Sequence, residues 1–319
     1  MYERNPIFLN ANLQYGDYIM INLKTILCNP KELIAMTGYT LDEFNALLPT
    51  FKKAVLECDR TLEGKERERK PTYYKNSIFS SITVQLFFVL IYMKQYTTQT
   101  MLGQLFGISQ PKANLWIHYL IPILSSALDE LKAMPSRNMQ DIDEEEASVY
   151  CHDGTERPIQ RPKNSEKQKE YYSGKKKTHT VKNNILANSN CEVIFLTPTV
   201  EGKRHDKKIA DESEYRLPEG STLLQDTGFQ GFSVANVEIL QPTKKPSGRE
   251  LTQNQKDRNR SISRIRVRIE HVVNGVKRYR IVKDKYRNWV RGFADLVMEI
   301  ACGLHNFRLR FRPWKEVRI

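Results

Sequence analysis

Three acidic residues stand where a folded chain can bring carboxylates together. Asp153 closes the apolar run Ala147-Ser148-Val149-Tyr150-Cys151-His152 and is followed by Gly154-Thr155. Asp226 closes Thr222-Leu223-Leu224-Gln225 and is followed by Thr227-Gly228. Glu270 lies inside a long, basic, helix-like stretch. Catalytic groups of α/β domains gather at strand ends, where side chains leave the core and face a cleft. Two carboxylates at strand tips and one on a helix can converge on a pair of divalent ions, which suits cutting and joining a phosphodiester backbone. Each acid also has a plainer reading. Asp153 and Asp226 can be turn residues bonding their own loops, and Glu270 can be the i,i+4 ion-pair partner of Arg266.

The helix that must carry Glu270 has a defined layout. With about 100° per residue and Arg266 at zero, Glu270 falls near roughly 40° and Lys277 near roughly 20°, one polar stripe. Ile262, Ile265, Ile269, Val272 and Val276 form an apolar stripe beside it, and Arg264, Arg268, His271 and Arg278 an outer basic face. The helix therefore anchors one side in the core and aims a carboxylate, flanked by Arg266 and Lys277, along its edge. Cations so placed suit phosphates.

Charge supports a polyanionic partner. Residues 1–147 hold 15 Lys and Arg against 17 Asp and Glu, whereas residues 148–319 hold 35 against 20. The whole excess lies in the half with the three acids, and nucleic acid is the default partner of such a surface. The cluster Lys175-Lys176-Lys177 and the arm Arg249–Arg268 are its densest parts. The five cysteines are scattered and odd in number, which argues against a disulfide framework and a zinc site and suits a reducing cytosol. The first residues lack a signal-peptide pattern. The longest apolar run, Leu86–Met93, is too short to span a membrane.

The elements that must position these residues fall into two parts. Pro30–Gly38 reads as a short helix stopped by Gly, and Thr40-Leu41-Asp42-Glu43 as a capping box. Asn76–Tyr96 is apolar on the helical period and reads as a buried helix. Thr98–Ser109 followed by Gln110–Tyr119 has the spacing of a helix-turn-helix near residues 98–121, with Ser109 as cap. Its second helix offers Gln110, Lys112 and Asn114 to a DNA groove. The alternative is an ordinary helical hairpin with Leu102, Leu105, Ile108, Leu115 and Ile117 in the core. Residues 1–140 thus read as a helical DNA-binding domain, and 141–147 as an acidic linker.

Residues 148–319 read as strands, then strands alternating with helices, which predicts a mixed α/β sheet with helices on its faces. The strands are Ser148–Cys151, Thr178–Leu186, Glu192–Val200, Leu223–Gln225 and, weakly, Val237–Gln241. His205–Ser213 begins a helix. Asp206 is a competing second carboxylate, read instead as a cap or supporting group, with His205 as a DNA or capping contact. His152 and His179 read as structural. Trp289, Phe293, Leu296, Ile300 and Leu304 form a helical apolar stripe assigned to the core rather than to base stacking.

Certain runs carry a family resemblance. Gly-Thr follows the first Asp in Asp153-Gly154-Thr155, and Asp226-Thr227-Gly228-Phe229-Gln230-Gly231 has the form Asp-x-Gly-aromatic-x-Gly. Three residues separate Arg266 from Glu270 and six separate Glu270 from Lys277; Gly202 precedes His205-Asp206. In these the sequence resembles the DDE-type transposases of bacterial insertion sequences, in the branch related to the Harbinger nucleases, over roughly residues 30–312. One departure is Ser263, where many related elements have Tyr three residues before the Arg. The resemblance implies a ribonuclease-H-like catalytic fold, Mg²⁺ or Mn²⁺ as a pair of ions held by Asp153, Asp226 and Glu270, and action on double-stranded DNA at terminal inverted repeats and a target site. It also implies a homodimer or higher oligomer on DNA, in a prokaryotic cytoplasm.

Overall fold

Thr40 and Glu43 start the first long helix as their spacing predicts. The Thr40 hydroxyl accepts from the Glu43 N–H, and the Glu43 carboxylate accepts from the Thr40 N–H. The computed structural model describes residues 21–69, 78–79, 81–142, 148–248 and 250–314. Within them six helices come first: α1 (Leu23–Leu27), α2 (Pro30–Thr37), α3 (Leu41–Glu57), α4 (Ile82–Gln95), α5 (Gln99–Phe106) and α6 (Gln110–Glu130). Gly38 stops α2 in the left-handed conformation, with φ +87°, where a residue without Cβ meets no steric penalty. Helix α4 is buried all round, from Gln85 to Met93, which explains its unbroken apolar sequence. Residues 76–77 and 80 of its expected range lie outside the described residues, as do residues 143–147 of the acidic linker and Arg249 at the start of the basic arm.

The second part supplies seven strands and five helices: β1 (Val149–Pro158), α7 (Ser165–Tyr171), β2 (Tyr172–Ser173), β3 (Thr178–Ala187), β4 (Val193–Leu196), β5 (Val200–Glu201), α8 (Asp206–Asp211), β6 (Thr222–Gln225), β7 (Glu238–Leu240), α9 (Gln253–Val276), α10 (Arg280–Lys283) and α11 (Phe293–Leu309). The strands form one mixed sheet in the order β2-β3-β1-β6-β7, with β4 and β5 also on β3. Strand β3 is antiparallel to β1, β2, β4 and β5, whereas β6 is parallel to both β1 and β7. This is the ribonuclease-H-like mixed sheet with flanking helices that the resemblance implies.

Side chains of a strand alternate between faces. On one face Cys151, Ile185, Leu196 and Leu224 join a core shared with α9, α11 and the N-terminal helices. On the other, Tyr150, Leu186, Phe195 and Leu223 pack with Ala210, Tyr215, Phe229 and Phe232 in a smaller core. The first core runs without a break into α2–α6. Buried bonds tie the two parts together: the Tyr39 hydroxyl donates to the Leu304 carbonyl, 2.8 Å away, and the Tyr279 hydroxyl donates to that of Tyr39.

Two sequence expectations need correction. Strand β1 does not stop before Asp153; its ladder with β3 continues to the pair Pro158 and Thr180. Trp289 is not core. It precedes α11, in the α10–α11 loop, and is 67% exposed. The apolar stripe begins at Phe293, where Phe293, Ile300 and Leu304 are buried and Leu296 packs against that core.

Candidate active site

The sheet register explains why Asp153 and Asp226 meet. Cys151 pairs with Leu224, and both belong to the core on the α9 face. Two residues further, on the same face by strand alternation, come Asp153 and Asp226. The parallel ladder with β6 ends at His152 and Gln225, so β1 carries on alone along that edge. Beyond Asp226 the chain turns sharply: its carboxylate accepts the Thr227 N–H at 2.6 Å and starts a single 3-10 turn, Thr227–Phe229. The turn reading of Asp226 is thus correct in geometry and compatible with a place at the site.

Helix α9 closes the site from the same face. Ile262, Ile269, Val272 and Val276 are buried under it, and this puts Arg266 at the edge, with its Nη1 3.7 Å from Asp226 Oδ1. Burial pushes the Asp153 carboxyl up to about 6; the Arg266 guanidinium opposes that rise, the Asp226 carboxylate adds to it, the bond from the Gly154 N–H opposes it, and Asp206 adds again. Lys277 caps the C-terminus of α9. Burial pulls its ammonium below the ordinary lysine range, while attraction to Asp153 works the other way and Lys176 adds repulsion. Asp153, Asp226, Arg266 and Lys277 are therefore one electrostatic group, with Lys176 at its rim.

Asp206 approaches from the opposite face. It is the first residue of α8, not its cap; His205 holds the cap position, exposed, with no side-chain capping bond. The Asp206 carboxylate lies over Gly154: a Cβ built there would meet Asp206 Cγ at 2.7 Å. Lys182 fixes it, with Nζ 3.2 Å from Asp206 Oδ1 and 3.0 Å from Glu156 Oε1. Glu156 and Lys182 are cross-strand partners on β1 and β3. Sequence reading missed both. The available signal was a lysine inside the strand run Thr180–Ala187, where a buried charge needs a partner.

Glu270 is exposed on α9. The i,i+4 ion pair with Arg266 does not form, because that guanidinium lies against Asp226. Among the described residues no three His, Cys, Asp or Glu side chains are grouped so as to hold a metal ion. Asp153 and Asp226 nonetheless fit a divalent cation. They are hard oxygen donors, and the desolvated Asp153 carboxylate gains from any added positive charge. The fit extends to these two carboxylates; Glu270 stands one helical turn from Arg266, outside the group.

The basic residues are spread around this centre. Lys175, Lys176 and Lys177 are exposed on the turn between β2 and β3, while on α9 Arg264 is exposed and Arg268 half-buried. In the helix-turn-helix, Leu102 and Ile117 are buried, so the hairpin contributes to the core, while Gln110 and Lys112 remain exposed. Gln110 and Asn114 are linked through Gln99: Gln110 Nε2 donates to Gln99 Oε1 at 2.5 Å, and Gln99 Nε2 donates to Asn114 Oδ1 at 2.7 Å. Ser109 takes the cap position of α6 without the expected side-chain bond. His152 is structural as expected, buried at 2.8 Å from the Tyr215 hydroxyl and against the Phe229 ring. His179 packs edge-on to Tyr172. Among the described residues no helix is long and apolar enough to cross a membrane.

Comparison with known proteins identifies the assembly. Residues 152–306 match the family profile described as "DDE superfamily endonuclease", and residues 81–130 match "Helix-turn-helix of DDE superfamily endonuclease". The chain is 27% identical over 284 residues to "Probable transposase for insertion sequence element IS702" of Microchaete diplosiphon, covering 87% of this chain and 94% of that protein. It is 26% identical over 199 residues to "Putative transposase for insertion sequence element IS112" of Streptomyces albus G, covering 61% and 69%. No solved structure matches the chain. Endonucleases of this superfamily depend in general on divalent metal. With helices α4–α6 and the sheet that carries Asp153 and Asp226 both matched, the chain belongs to the DDE superfamily of endonucleases.

Proposed function

We propose that this protein is a DNA transposase that cuts at the ends of its element and joins the freed 3′-hydroxyl ends to target DNA. The observation that carries the reading is the meeting of Asp153 and Asp226 on one face of the sheet, under the Arg266 guanidinium. Asp153 and Asp226 are the residues to hold a divalent metal, Mg²⁺ or Mn²⁺. Glu270, which this structure leaves exposed and apart from that pair, is assigned as the third carboxylate of a site for two ions on its spacing from Arg266 and Lys277 along α9. Bound there, the metal supplies activation of the attacking oxygen and stabilisation of the leaving one.

The chain's own residues supply the rest. Arg266 and Lys277 meet the phosphate beside the scissile bond, where their charge offsets that of the incoming backbone. Lys175, Lys176, Lys177, Arg264 and Arg268 track the flanking phosphates and provide most of the salt-dependent affinity. Gln110, Lys112 and Asn114, at the start of α6, face the DNA of the inverted repeat. Asp206, held by Lys182, supports β1 behind Asp153, with His205 beside it at the start of α8. Residues 1–140 would grip the element's end and residues 148–319 perform the chemistry, as a homodimer or higher oligomer on DNA in a prokaryotic cytoplasm.

A strand-transfer assay tests this reading. A pre-cut duplex with a free 3′-hydroxyl at the element's end, a supercoiled target and Mg²⁺ or Mn²⁺ should give joined product. Cleavage without any joined product would reduce the protein to a site-specific nuclease, and DNA binding without either would make it a regulator.

A further inference from the structure

The loop between α10 and α11 carries an apolar tip in a basic surround. Trp289 is 67% exposed and Val290 54%. Two adjacent apolar side chains at one tip leave an apolar spot on the surface that a partner can cover. The segment 277–291 around them holds seven Lys and Arg against one Asp. That acid, Asp284, is paired with Arg280 at 2.9 Å.

The loop is held in place on two sides. On one, the Tyr286 N–H donates to the Pro158 carbonyl at the end of β1, 2.8 Å away. On the other, the Arg287 guanidinium sits 4.4 Å over the Tyr96 ring and bonds the Tyr96 carbonyl. The Arg287 N–H donates to the Tyr96 hydroxyl at 2.6 Å. Asn288 reaches His118 on α6 at 3.5 Å, and its Oδ1 accepts from the Val290 N–H at 2.9 Å. Tyr96 immediately precedes the helix-turn-helix. Between them lies a cleft of about 330 Å³ lined by Thr98, Gln99, Thr100, Gln110, Arg287 and Asn288. The exposed indole is thus carried on an anchored loop whose Asn288, the residue before it, shares that cleft with Gln110.

We infer that Trp289, with Val290, is a second DNA-contacting element: an apolar tip that packs its indole against a base or sugar face of the duplex held by the helix-turn-helix. This rests on the reading of the substrate as double-stranded DNA. Apolar tips on basic surfaces contact a duplex by lying on the sugars or wedging between base steps while the surrounding cations hold the backbone. Charge selects this occupant over a second copy of the chain, since seven cations in fifteen residues would repel their own image.

The test is equilibrium binding of the full chain to a fluorescein-labelled mixed-sequence duplex of about 40 base pairs at low salt. Trp289→Ala should weaken binding on the order of tenfold, and Trp289→Phe should keep most of it. The part of the protein's indole emission that wild type loses on adding DNA should vanish in Trp289→Ala. Because the side chain is exposed, the melting temperature should not move. Wild-type affinity and wild-type quenching in Trp289→Ala would overturn the inference, as would a change in sedimentation mass with DNA affinity intact. A wild-type chain that binds no duplex at all would instead sink the nucleic-acid reading on which the inference rests.

Discussion

The Asp206 carboxylate occupies the space that a side chain at position 154 would fill, because a Cβ on Gly154 would come within 2.7 Å of Asp206 Cγ. Lys182 holds that carboxylate down, itself shared with Glu156. Glycine at this point of β1 is therefore a packing requirement, separate from the Asp-Gly-Thr turn that the sequence suggests. Gly154→Ala should cost about 1–3 kcal/mol through overpacking. Adding Asp206→Ala should recover part of the loss, so the pair should be non-additive in urea denaturation. Strict additivity would mean that the two side chains do not compete for space.

Asp153 predicts a pH dependence of known sign. Its folded carboxyl is pushed up to about 6, from an ordinary value near 3.8, mainly by burial. A raised acid binds its proton more tightly in the folded state, so the contribution is fully present below the unfolded value. It is lost as pH rises toward 6. Asp153→Asn should therefore be more stable than wild type at pH 8, by about 2 kcal/mol, with the gap closing toward pH 4. Denaturation across that range checks it; equal stabilities at pH 8 would contradict the desolvation. Divalent metal should also bind less tightly as pH falls below 6.

Arg266 is the strongest influence holding the Asp153 carboxyl down. Arg266→Met, which keeps the stem and removes the charge, should raise that carboxyl further. Carbon-detected NMR titration of Asp153 would read the shift directly. An unchanged midpoint would mean that solvent already screens the pair.

Much of the site could be read from the sequence, for physical reasons that differ by residue. Apolar runs of strand length located β1, β3, β4 and β6, and their ends put Asp153 and Asp226 at one level of the sheet. The 3.6-residue period of Ile262, Ile269, Val272 and Val276 placed Arg266 at the helix edge. The extent of β1 was hidden, because Asp-Gly-Thr-Glu has turn composition and its strand character comes from pairing with β3. The ion cluster of Glu156, Lys182 and Asp206 was hidden because its members come from three elements that only tertiary structure brings together. Trp289 misled periodicity: it keeps the helical spacing of Phe293 but precedes Gly292, whose φ of +78° starts α11 after it.

The lysine turn predicts a salt effect. Lys175, Lys176 and Lys177 are exposed, so neutralising all three should leave the fold intact. The slope of log affinity against log salt should flatten by about 2–3, at about 0.9 for each DNA phosphate that a lysine no longer neutralises. Fluorescence anisotropy over a range of salt concentrations would measure it. An unchanged slope would place the DNA elsewhere on the surface.

We propose that Asp153 and Asp226 run metal-dependent cleavage, with Glu270 as the third carboxylate. Purified wild-type chain should nick a duplex containing the element's end only with Mg²⁺ or Mn²⁺ present. Asp153→Asn, Asp226→Asn and Glu270→Gln should each lose at least about a thousandfold in cleavage rate, of the order expected when charge stabilisation at a reacting phosphate is removed, while binding that duplex as wild type does. Wild-type cutting by any one of the three variants would contradict the assignment of that carboxylate, and by Asp153→Asn or Asp226→Asn the account as a whole.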